Sequence, residues 1–376
     1  MKILVTGGAG YIGSHMVRML AKLGHEVVTF DDLSAGFRDA VLSGEFVQGS
    51  LHDKAALSAL FGAHQFDAVV HFAGSIAVGE SVRDPAKYYQ NNLTGTLNLF
   101  DAMRAHRVNK LVFSSTAAIF GVPQYVPIDE AHPQAPINPY GMTKWVTERI
   151  LADYDTAYGL RSVALRYFNA AGAAPDAALG ERHDPETHLI PLALRAATGE
   201  LPELTVFGAD YDTPDGTCIR DYIHIVDLCD AHVLALQHLA VGGESRAYNL
   251  GNGQGYSVKE VILMVERVSG MKVPVQFVRS FLQRGLQCRT RTLHQQAAQV
   301  GIAAPADAAQ LGLAAAGILP GRQPDPGGKL AAVLEVMRIA DTGAYGIRGD
   351  DAHAGHGLQA SGCLSVACRL RDLAVA

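Results

Sequence analysis

A tyrosine and a lysine stand four residues apart in Tyr140-Gly141-Met142-Thr143-Lys144, within a stretch whose pattern predicts a helix over residues 140–158. Residues four apart share one face of a helix, so the phenol and the ammonium point the same way. A phenol has a pKa of about 10 and needs a nearby positive charge to act as a base near neutral pH. The spacing therefore predicts a tyrosine base, Tyr140, assisted by Lys144.

Hydroxyl side chains follow the strand-like run Leu111-Val112-Phe113, in the order Ser114-Ser115-Thr116. In open α/β sheets, ligands bind at the carboxyl ends of the strands, which is where these hydroxyls would lie. A tyrosine and a lysine at this spacing also occur in helices without function. The prediction gains its weight from the hydroxyl cluster and from the glycine-rich turn described next.

A glycine-rich turn, Gly7-Gly8-Ala9-Gly10-Tyr11-Ile12-Gly13, comes directly after the first apolar run and opens a helix. Glycines permit a tight turn and the close approach of a pyrophosphate, whose charge then meets the free N–H groups at the helix N-terminus. The residues predicted to contact a dinucleotide there are Gly7, Gly10, Tyr11, Ile12 and Gly13.

Two carboxylates, Asp31 and Asp32, end the second strand-like run. An acidic residue at this position accepts hydrogen bonds from the ribose hydroxyls and repels a 2′-phosphate. The predicted cofactor is therefore NAD rather than NADP.

Five short apolar runs alternate with amphipathic stretches over the first 170 residues, which predicts a Rossmann-type, doubly wound parallel sheet in an α/β fold. The runs are residues 3–5, 27–30, 68–72, 111–113 and 162–165. The predicted division is an NAD-binding domain over 1–170 and a smaller, mixed substrate-binding region over 171–278, with a helix over 189–199 and a strand over 204–207. Residues 279–376 form an atypical tail.

Composition excludes several classes of function. The chain has a net charge of −6, which gives no basic surface for nucleic acid. It has no apolar stretch near the roughly 20 residues of a membrane helix and no signal peptide, so we expect no membrane association and a cytoplasmic location. The five cysteines lack CxxC spacing, and Cys218, His224, Cys229 and His232 fall on faces that they do not share, so no metal site is predicted.

Linked motifs in order resemble the extended short-chain dehydrogenase/reductase family, most closely the branch that epimerises UDP-glucose and UDP-galactose at C4. The resemblance runs from residue 1 to about residue 277. Besides the glycine turn and residues 140–144, it is carried by His71-Phe72-Ala73-Gly74, Val78-Gly79-Glu80-Ser81, Tyr88-Tyr89-Gln90-Asn91-Asn92, Leu165-Arg166-Tyr167-Phe168-Asn169 and Arg220-Asp221-Tyr222-Ile223-His224.

This resemblance implies a reaction. Tyr140 takes the O4 proton while tightly bound NAD takes the C4 hydride; the 4-keto sugar then turns over in the site and receives the hydride on its other face. Thr116 would relay the proton and Lys144 would also hold the nicotinamide ribose. The resemblance adds to the cofactor site Phe72, Ala73, Gly74, Asn91 and Phe168. It assigns to the UDP-hexose, besides Thr116 and Tyr140, the residues Asn169, His188, Leu189 and Arg220, and it implies a homodimer through helices around 88–103 and 143–158.

Two alternatives remain. A 4,6-dehydratase of the same fold needs a further acid and base after the catalytic threonine, and Ala117-Ala118 stand there, which disfavours dehydration. A non-catalytic nucleotide-sensing or scaffold protein on the same fold is disfavoured by the joint presence of Tyr140, Lys144 and Thr116, whereas the atypical tail favours it.

The sequence departs from the family pattern in three places. Ser50 and Ile76 stand where an acidic residue and a lysine are frequent near the cofactor, so we expect modestly weaker NAD contacts. After residue 278 the family's substrate-wall motifs are lost at one point and aromatics become scarce. We hypothesise a shifted reading frame from about residue 278; the other interpretation is a genuine but poorly ordered tail, since few large side chains offset the entropy of ordering.

Overall fold

A computed structural model describes residues 1–253 and 255–278 of the chain. The prediction for residues 279–376 lies outside the described residues. The described residues form twelve strands and nine α-helices. The strands are β1 (Lys2–Thr6), β2 (Glu26–Asp31), β3 (Glu45–Gln48), β4 (Ala68–His71), β5 (Lys110–Thr116), β6 (Arg161–Tyr167), β7 (Asn169–Ala171), β8 (Leu204–Phe207), β9 (Ile219–His224), β10 (Arg246–Leu250), β11 (Gly255–Ser257) and β12 (Val275–Val278). The helices are α1 (Tyr11–Lys22), α2 (Lys54–Ala63), α3 (Val78–Arg83), α4 (Pro85–Tyr88), α5 (Gly95–Ala105), α6 (Pro139–Tyr158), α7 (Leu189–Ala197), α8 (Ile225–Ala240) and α9 (Val258–Ser269).

Seven strands form one parallel sheet in the order β10-β6-β5-β4-β1-β2-β3. The strand order reverses between β1 and β4, which is the position where sheets of this type bind ligands. Apolar clusters cover both faces of the sheet, one with α1 and α8 and the other with α2 and α5. The predicted Rossmann-type, doubly wound parallel sheet is confirmed.

The remaining strands build two smaller sheets. One is mixed and has the order β11-β9-β7; the other pairs β12 with β8 in parallel. A third apolar cluster lies between α7, α9 and these strands. Among the described residues, no helix has both the length and the apolarity to cross a membrane.

The apolar runs located five strands of the large sheet correctly, as β1, β2, β4, β5 and β6. They missed β3 and β10, because both are only partly buried and do not read as apolar runs. The predicted strand over 204–207 is β8, and the predicted helix over 189–199 ends two residues early, at Ala197. Helix α6 begins one residue before its predicted start, since Asn138 accepts the N–H of Gly141 at 2.8 Å and Pro139 occupies the first turn.

The chain returns to the large sheet after building much of the smaller region. Helix α8 packs in the same apolar cluster as β1 and α1, and β10 pairs with β6 from Arg246 to Leu250. Two elements that follow residue 170, α8 and β10, thus belong to the large sheet and the helices that cover it. The division into an NAD-binding domain and a substrate-binding region stays a prediction.

A buried ion pair fastens α6 to the sheet. Arg166 on β6 donates from Nε to both carboxylate oxygens of Glu148 at 3.1 Å and from an Nη atom to one of them at 2.6 Å. The hydroxyl of Ser115 on β5 donates to the same carboxylate. Because the two charged side chains are only 7% and 8% exposed, water compensates little of either charge, and each is compensated mainly by its partner.

We predict that Arg166→Ala lowers the free energy of unfolding by about 3–5 kcal/mol, because it leaves the Glu148 carboxylate buried without its partner. Arg161→Ala is the matched control: its ion pair with Asp155 is half-exposed and contributes about 0–1 kcal/mol. Urea unfolding followed by circular dichroism measures both. Equal losses for the two variants would contradict the prediction.

Candidate active site

The glycine turn adopts a shape that side chains would prevent. Gly7 has a positive φ of 73°, and a Cβ there would lie 2.5 Å from the backbone nitrogen of Ala73. A Cβ on Gly13 would lie 2.1 Å from the carbonyl oxygen of Gly7. Gly10 is the N-cap of α1 and supplies no side-chain cap, so the first-turn N–H groups are left for another acceptor. The turn is thus built to let an anion approach the backbone at the N-terminus of α1.

Tyr11 and Ile12 begin α1, as predicted, but their side chains contact other residues of the protein. The Tyr11 hydroxyl donates to the carbonyl oxygen of Gly172 at 2.6 Å, and Ile12 packs against the apolar cluster on that face of the sheet. Burial, and then the charges of Glu181, Cys229 and Glu186, raise the pKa of Tyr11 well above its ordinary value. Tyr11 therefore links the turn to the smaller region as a neutral hydroxyl.

The two carboxylates after β2 differ in exposure. Asp31 is 8% exposed and accepts the N–H groups of Ala9 at 3.0 Å and Leu33 at 2.8 Å. Burial raises its pKa, while those two hydrogen bonds oppose the shift. Asp32 is exposed and accepts the N–H of Ser34 at 2.9 Å. Asp31 therefore braces the glycine turn directly, and the ribose role given to this pair stays a prediction.

The segment after β4 lies beside the lysine. The N–H groups of Phe72 and Ala73 donate to the carbonyl oxygen of Thr6, at 2.9 and 3.1 Å, so this segment continues alongside β1. A Cβ placed on Gly74 would lie 3.8 Å from Nζ of Lys144. The ring of Phe72 packs against His232 of α8, with centroids 4.8 Å apart. The backbone of this segment, more than its side chains, faces the lysine.

Two neighbouring asparagines hold this segment from a π-helical turn, Tyr89–Thr94. Asn91, the predicted cofactor residue, donates to the hydroxyl of Ser75 at 2.9 Å. Asn92 is 4% exposed; it accepts the N–H of Ser75 at 2.7 Å and donates to Ser75 O at 3.0 Å and to the Thr143 hydroxyl at 3.2 Å. Asn92 lies in the motif Tyr88-Tyr89-Gln90-Asn91-Asn92, but the sequence assigns it no role. Its position next to Asn91 is the one local signal of this function.

Lys144 is 4% exposed and lies on α6 at the end of β5. Its ammonium donates to the carbonyl oxygen of Ser114 at 2.8 Å and lies 4.9 Å from the centroid of the Phe113 ring. Burial lowers the pKa of Lys144 to about 8. Burial lowers the pKa of His71 to about 3, and the positive charge of Lys144 contributes to the same shift. His71 is therefore neutral in its hydrogen bonds to Thr6 and Thr96.

Tyr140 and Thr116 meet at the same edge. The Thr116 oxygen accepts the N–H of Ala118 at 3.1 Å, and its hydroxyl lies beside the Tyr140 phenol. Burial raises the pKa of Tyr140, and the neighbouring Thr116 hydroxyl opposes that shift. The expectation that Lys144, together with the nicotinamide cation, favours the Tyr140 phenolate stays a prediction; in the protein alone, the ammonium is directed at Ser114 O.

The predicted substrate residues lie in or beside the smaller region. Asn169 on β7 donates to the carbonyl oxygen of Asp221 at 2.7 Å, and Arg220 on the adjacent strand β9 is exposed. Phe168 is half-buried next to Gly251. His188 is the N-cap of α7, and Leu189 is its first residue. The structure thus brings Tyr140, Thr116 and Lys144 together at the end of β5. It places the four remaining predicted substrate residues on elements of the neighbouring region: Asn169, His188, Leu189 and Arg220.

The part of the chain that contains these residues also matches known proteins. The model described as "NAD dependent epimerase/dehydratase family" matches residues 3–251, more than half of the chain. The chain belongs to the NAD-dependent epimerase/dehydratase family. A relative in this family, the UDP-glucose 4-epimerase of Rhizobium leguminosarum bv. trifolii, is 52% identical over 276 residues, which cover 73% of this chain and 84% of the relative. The family resemblance inferred from the motifs is confirmed.

Solved structures of the epimerase/dehydratase family superpose on the chain. UDP-glucose 4-epimerase from Brucella ovis, in complex with NAD, is 54% identical with a TM-score of 0.73, covering 74% of this chain and 86% of the other. UDP-glucose 4-epimerase from Bifidobacterium longum, in complex with NAD⁺ and UDP, is 40% identical with a TM-score of 0.71, covering 74% and 87%.

The residues present fit the dinucleotide of this family. The glycine turn leaves a backbone cradle at an uncapped helix N-terminus, which suits a pyrophosphate. Lys144 is a buried ammonium that forms no salt bridge within the described part of the chain and uses one donor on Ser114, so further donors remain for ribose hydroxyls. NAD, the predicted cofactor, is confirmed for this family.

The lowered pKa of Lys144 predicts that this side chain costs stability. In the unfolded chain its pKa is near the ordinary value of 10.5, whereas in the folded chain it is about 8. The folded state therefore binds the proton more weakly, and the penalty is fully present below pH 8 and disappears as the pH rises from 8 to 10.5. We expect Lys144→Met to raise the free energy of unfolding of the dinucleotide-free protein by about 3 kcal/mol at pH 7.

The measurement is urea unfolding of the wild-type protein and Lys144→Met at several pH values between 7 and 10.5. Lys54→Met, at an exposed lysine on α2, is the control and should change little at any pH. A Lys144→Met difference that stays constant over this pH range would show that packing, rather than the buried charge, sets its effect.

Proposed function

We propose that the chain catalyses the reversible C4 epimerisation of UDP-galactose and UDP-glucose, with Tyr140 as the base, Thr116 as the proton-relaying hydroxyl and Lys144 as the buried cation. The observation that carries this proposal is the meeting of these three side chains at the carboxyl end of β5, beside the strand-order reversal. The relatives named UDP-glucose 4-epimerase support the choice of substrate.

C4 of a hexose has no adjacent carbonyl, so its configuration cannot be inverted by proton removal alone. Bound NAD supplies the reversible oxidation at C4 and a positive charge that favours the Tyr140 phenolate. The Thr116 oxygen accepts the Ala118 N–H, and its hydroxyl still carries one proton to donate. That proton stabilises the phenolate while Tyr140 removes the O4 proton of the sugar, and the reverse transfer completes the cycle.

Lys144 has a positioning and an electrostatic role. Its hydrogen bond to Ser114 fixes the ammonium at the end of β5, next to Gly74. There its remaining N–H groups are available to the nicotinamide ribose, and its charge acts in a buried environment where it is poorly screened. The neutral His71 nearby places no second positive charge against it at neutral pH.

Substrate contacts are assigned to Asn169, His188, Leu189 and Arg220. Arg220 is exposed and presents a planar donor fork, which suits the diphosphate of a UDP-sugar. The remaining cofactor contacts are assigned to the backbone of Gly7, Gly10, Tyr11, Ile12 and Gly13, to Asp31 and Asp32, and to Phe72, Ala73, Gly74, Asn91 and Phe168. Ala117 and Ala118, which follow Thr116, carry no acid or base for a dehydration.

The proposal is tested by incubating the purified full chain with UDP-galactose without added NAD and measuring UDP-glucose. Tyr140→Phe should reduce turnover by about 10²–10⁴-fold or more, because it removes the base. It should leave the bound NAD unchanged, since the glycine turn and Lys144 are intact.

Tyr158→Phe is the control, because it makes the same change at an exposed tyrosine at the far end of α6. Turnover retained by Tyr140→Phe would refute the assignment of the base. A 4-keto-6-deoxy product would instead identify a dehydratase, and tight NAD without turnover would identify a sensor.

A homodimer through α5 and α6 is part of the proposal. The two helices share an aromatic and cationic surface, in which Arg104 lies over the Tyr158 ring at 4.9 Å and Tyr154 contacts Tyr158 edge-on. We expect light scattering to give twice the chain mass of 39.9 kDa. Glutamate substitution of Tyr158 should shift the mass toward the monomer, and a monomeric wild-type chain would contradict the proposal.

A cytoplasmic location is also proposed. Cys218 and Cys229, the two cysteines within the described ranges, are both free thiols, which fits a reducing compartment. Cell fractionation with an antibody to the chain tests it, and recovery in the membrane or secreted fraction would contradict it.

A further inference from the structure

A loop before α7 gathers four side chains of the kinds that bind metal ions. Glu181, His183, Glu186 and His188 each present one such atom, and these atoms lie within 4.8 Å of one another. All four come from eight consecutive residues. No function assigned above uses this group as a whole, although His188 was predicted to face the substrate.

The two carboxylates of this cluster are buried. The side chains of Glu181 and Glu186 are 5% and 4% exposed, so their charges need a positive partner. The arginine of the loop is not that partner, because Arg182 pairs with Asp39 and lies 3.6 Å over the Phe37 ring. Within the described loop, the groups that face the carboxylates are its two imidazoles, those of His183 and His188.

One imidazole nitrogen in the cluster is left without a hydrogen bond. Nδ1 of His183 is buried and lies 3.6 Å from Oε1 of Glu181 and 3.5 Å from Oε2 of Glu186. These separations are too long for good hydrogen bonds. They are close to the roughly 3.3 Å that separates two ligand atoms bound about 2.0–2.1 Å from a tetrahedral metal ion.

The other carboxylate oxygen of Glu186 is already occupied. It accepts the N–H groups of Thr187 at 2.7 Å and His188 at 2.8 Å, and it faces Nδ1 of His188 at 2.9 Å. Oε2 is therefore the atom directed at the His183 side of the cluster. Nδ1 of His188 also lies 3.0 Å from Oε1 of Glu181. A proton on this nitrogen is shared by both carboxylates, and a bound cation would displace it.

We propose that Glu181, His183, Glu186 and His188 form a binding site for one divalent transition-metal ion of the Zn²⁺ class. Two imidazole nitrogens with two carboxylate oxygens suit Zn²⁺, whereas Ca²⁺ and Mg²⁺ prefer oxygen ligands alone. Bound metal stabilises the loop between the Tyr11–Gly172 contact and the start of α7. His188 uses Nδ1 in this site, so its other ring nitrogen stays available to a substrate. The metal site does not depend on the epimerisation proposed above.

The test uses the full chain without a histidine tag, stripped with chelator, incubated with ZnCl₂ and desalted. We expect one equivalent of zinc by elemental analysis and a raised midpoint of thermal unfolding. His183→Gln and Glu181→Gln should each weaken zinc binding by roughly a hundredfold or more, because even changes beyond the ligands cost about ten- to a hundredfold. Replacing Zn²⁺ with Co²⁺ should give visible absorption bands that both variants lose.

His64→Gln is the matched control, because His64 lies 3.5 Å from Glu45 in an isolated pair outside the loop. It should retain the wild-type zinc content. Circular dichroism and the dinucleotide content of each variant establish that it is folded. A wild-type chain that keeps no zinc would overturn the proposal. Undiminished zinc in folded His183→Gln and Glu181→Gln would also overturn it, since the ion would then be bound elsewhere, for example by Cys288, Cys363 or Cys368.

Discussion

The burial of one ammonium group, that of Lys144, is the constraint around which the site is organised. Among the described residues, the ammonium donates to one carbonyl oxygen, Ser114 O, and lies over the Phe113 ring, so these groups compensate its charge only in part. The same charge helps to keep His71 neutral and lies against the backbone of Gly74. A buried position that is unfavourable for a cation alone becomes favourable when a ligand supplies oxygen atoms. Active sites commonly contain such groups, which lower the stability of the free protein and contribute to ligand binding.

Holding that charge in place requires α6 to be fixed relative to β5, and the polar contacts of α6 achieve this. Arg166 and Ser115 both donate hydrogen bonds to Glu148, which lies one helical turn after Lys144 on α6. Asn92 donates a hydrogen bond to Thr143, the residue that precedes Lys144. Asn92 also fixes Ser75, which adjoins Gly74. The side-chain amide of Asn92 thus connects the helix to the segment after β4 and helps to keep the phenol and the ammonium in register with the backbone of that segment.

Sequence reasoning located the parts of the site that depend on local pattern. The glycine turn, the tyrosine–lysine spacing and the five buried strands each have a short-range signature, and the fold and family that they predicted are confirmed. The contacts of Asn92, the Glu148–Arg166 pair and the Tyr11–Gly172 hydrogen bond join residues that are 17 to 161 positions apart, so no local pattern encodes them. Burial raises the pKa of Tyr140, an effect that the sequence does not reveal, because charge spacing is visible in a sequence and desolvation is not.

The return of the chain to the large sheet through β10 has a consequence for how the protein is made. Strand β6 is complete at Tyr167, but its outer edge is paired only when Arg246–Leu250 has left the ribosome. For the intervening residues the nascent sheet presents an open strand edge, a surface that favours pairing with other chains. The face that α8 later covers is exposed for nearly as long. The nascent chain that ends before Arg246 therefore carries an unpaired edge along β6 that the complete chain covers.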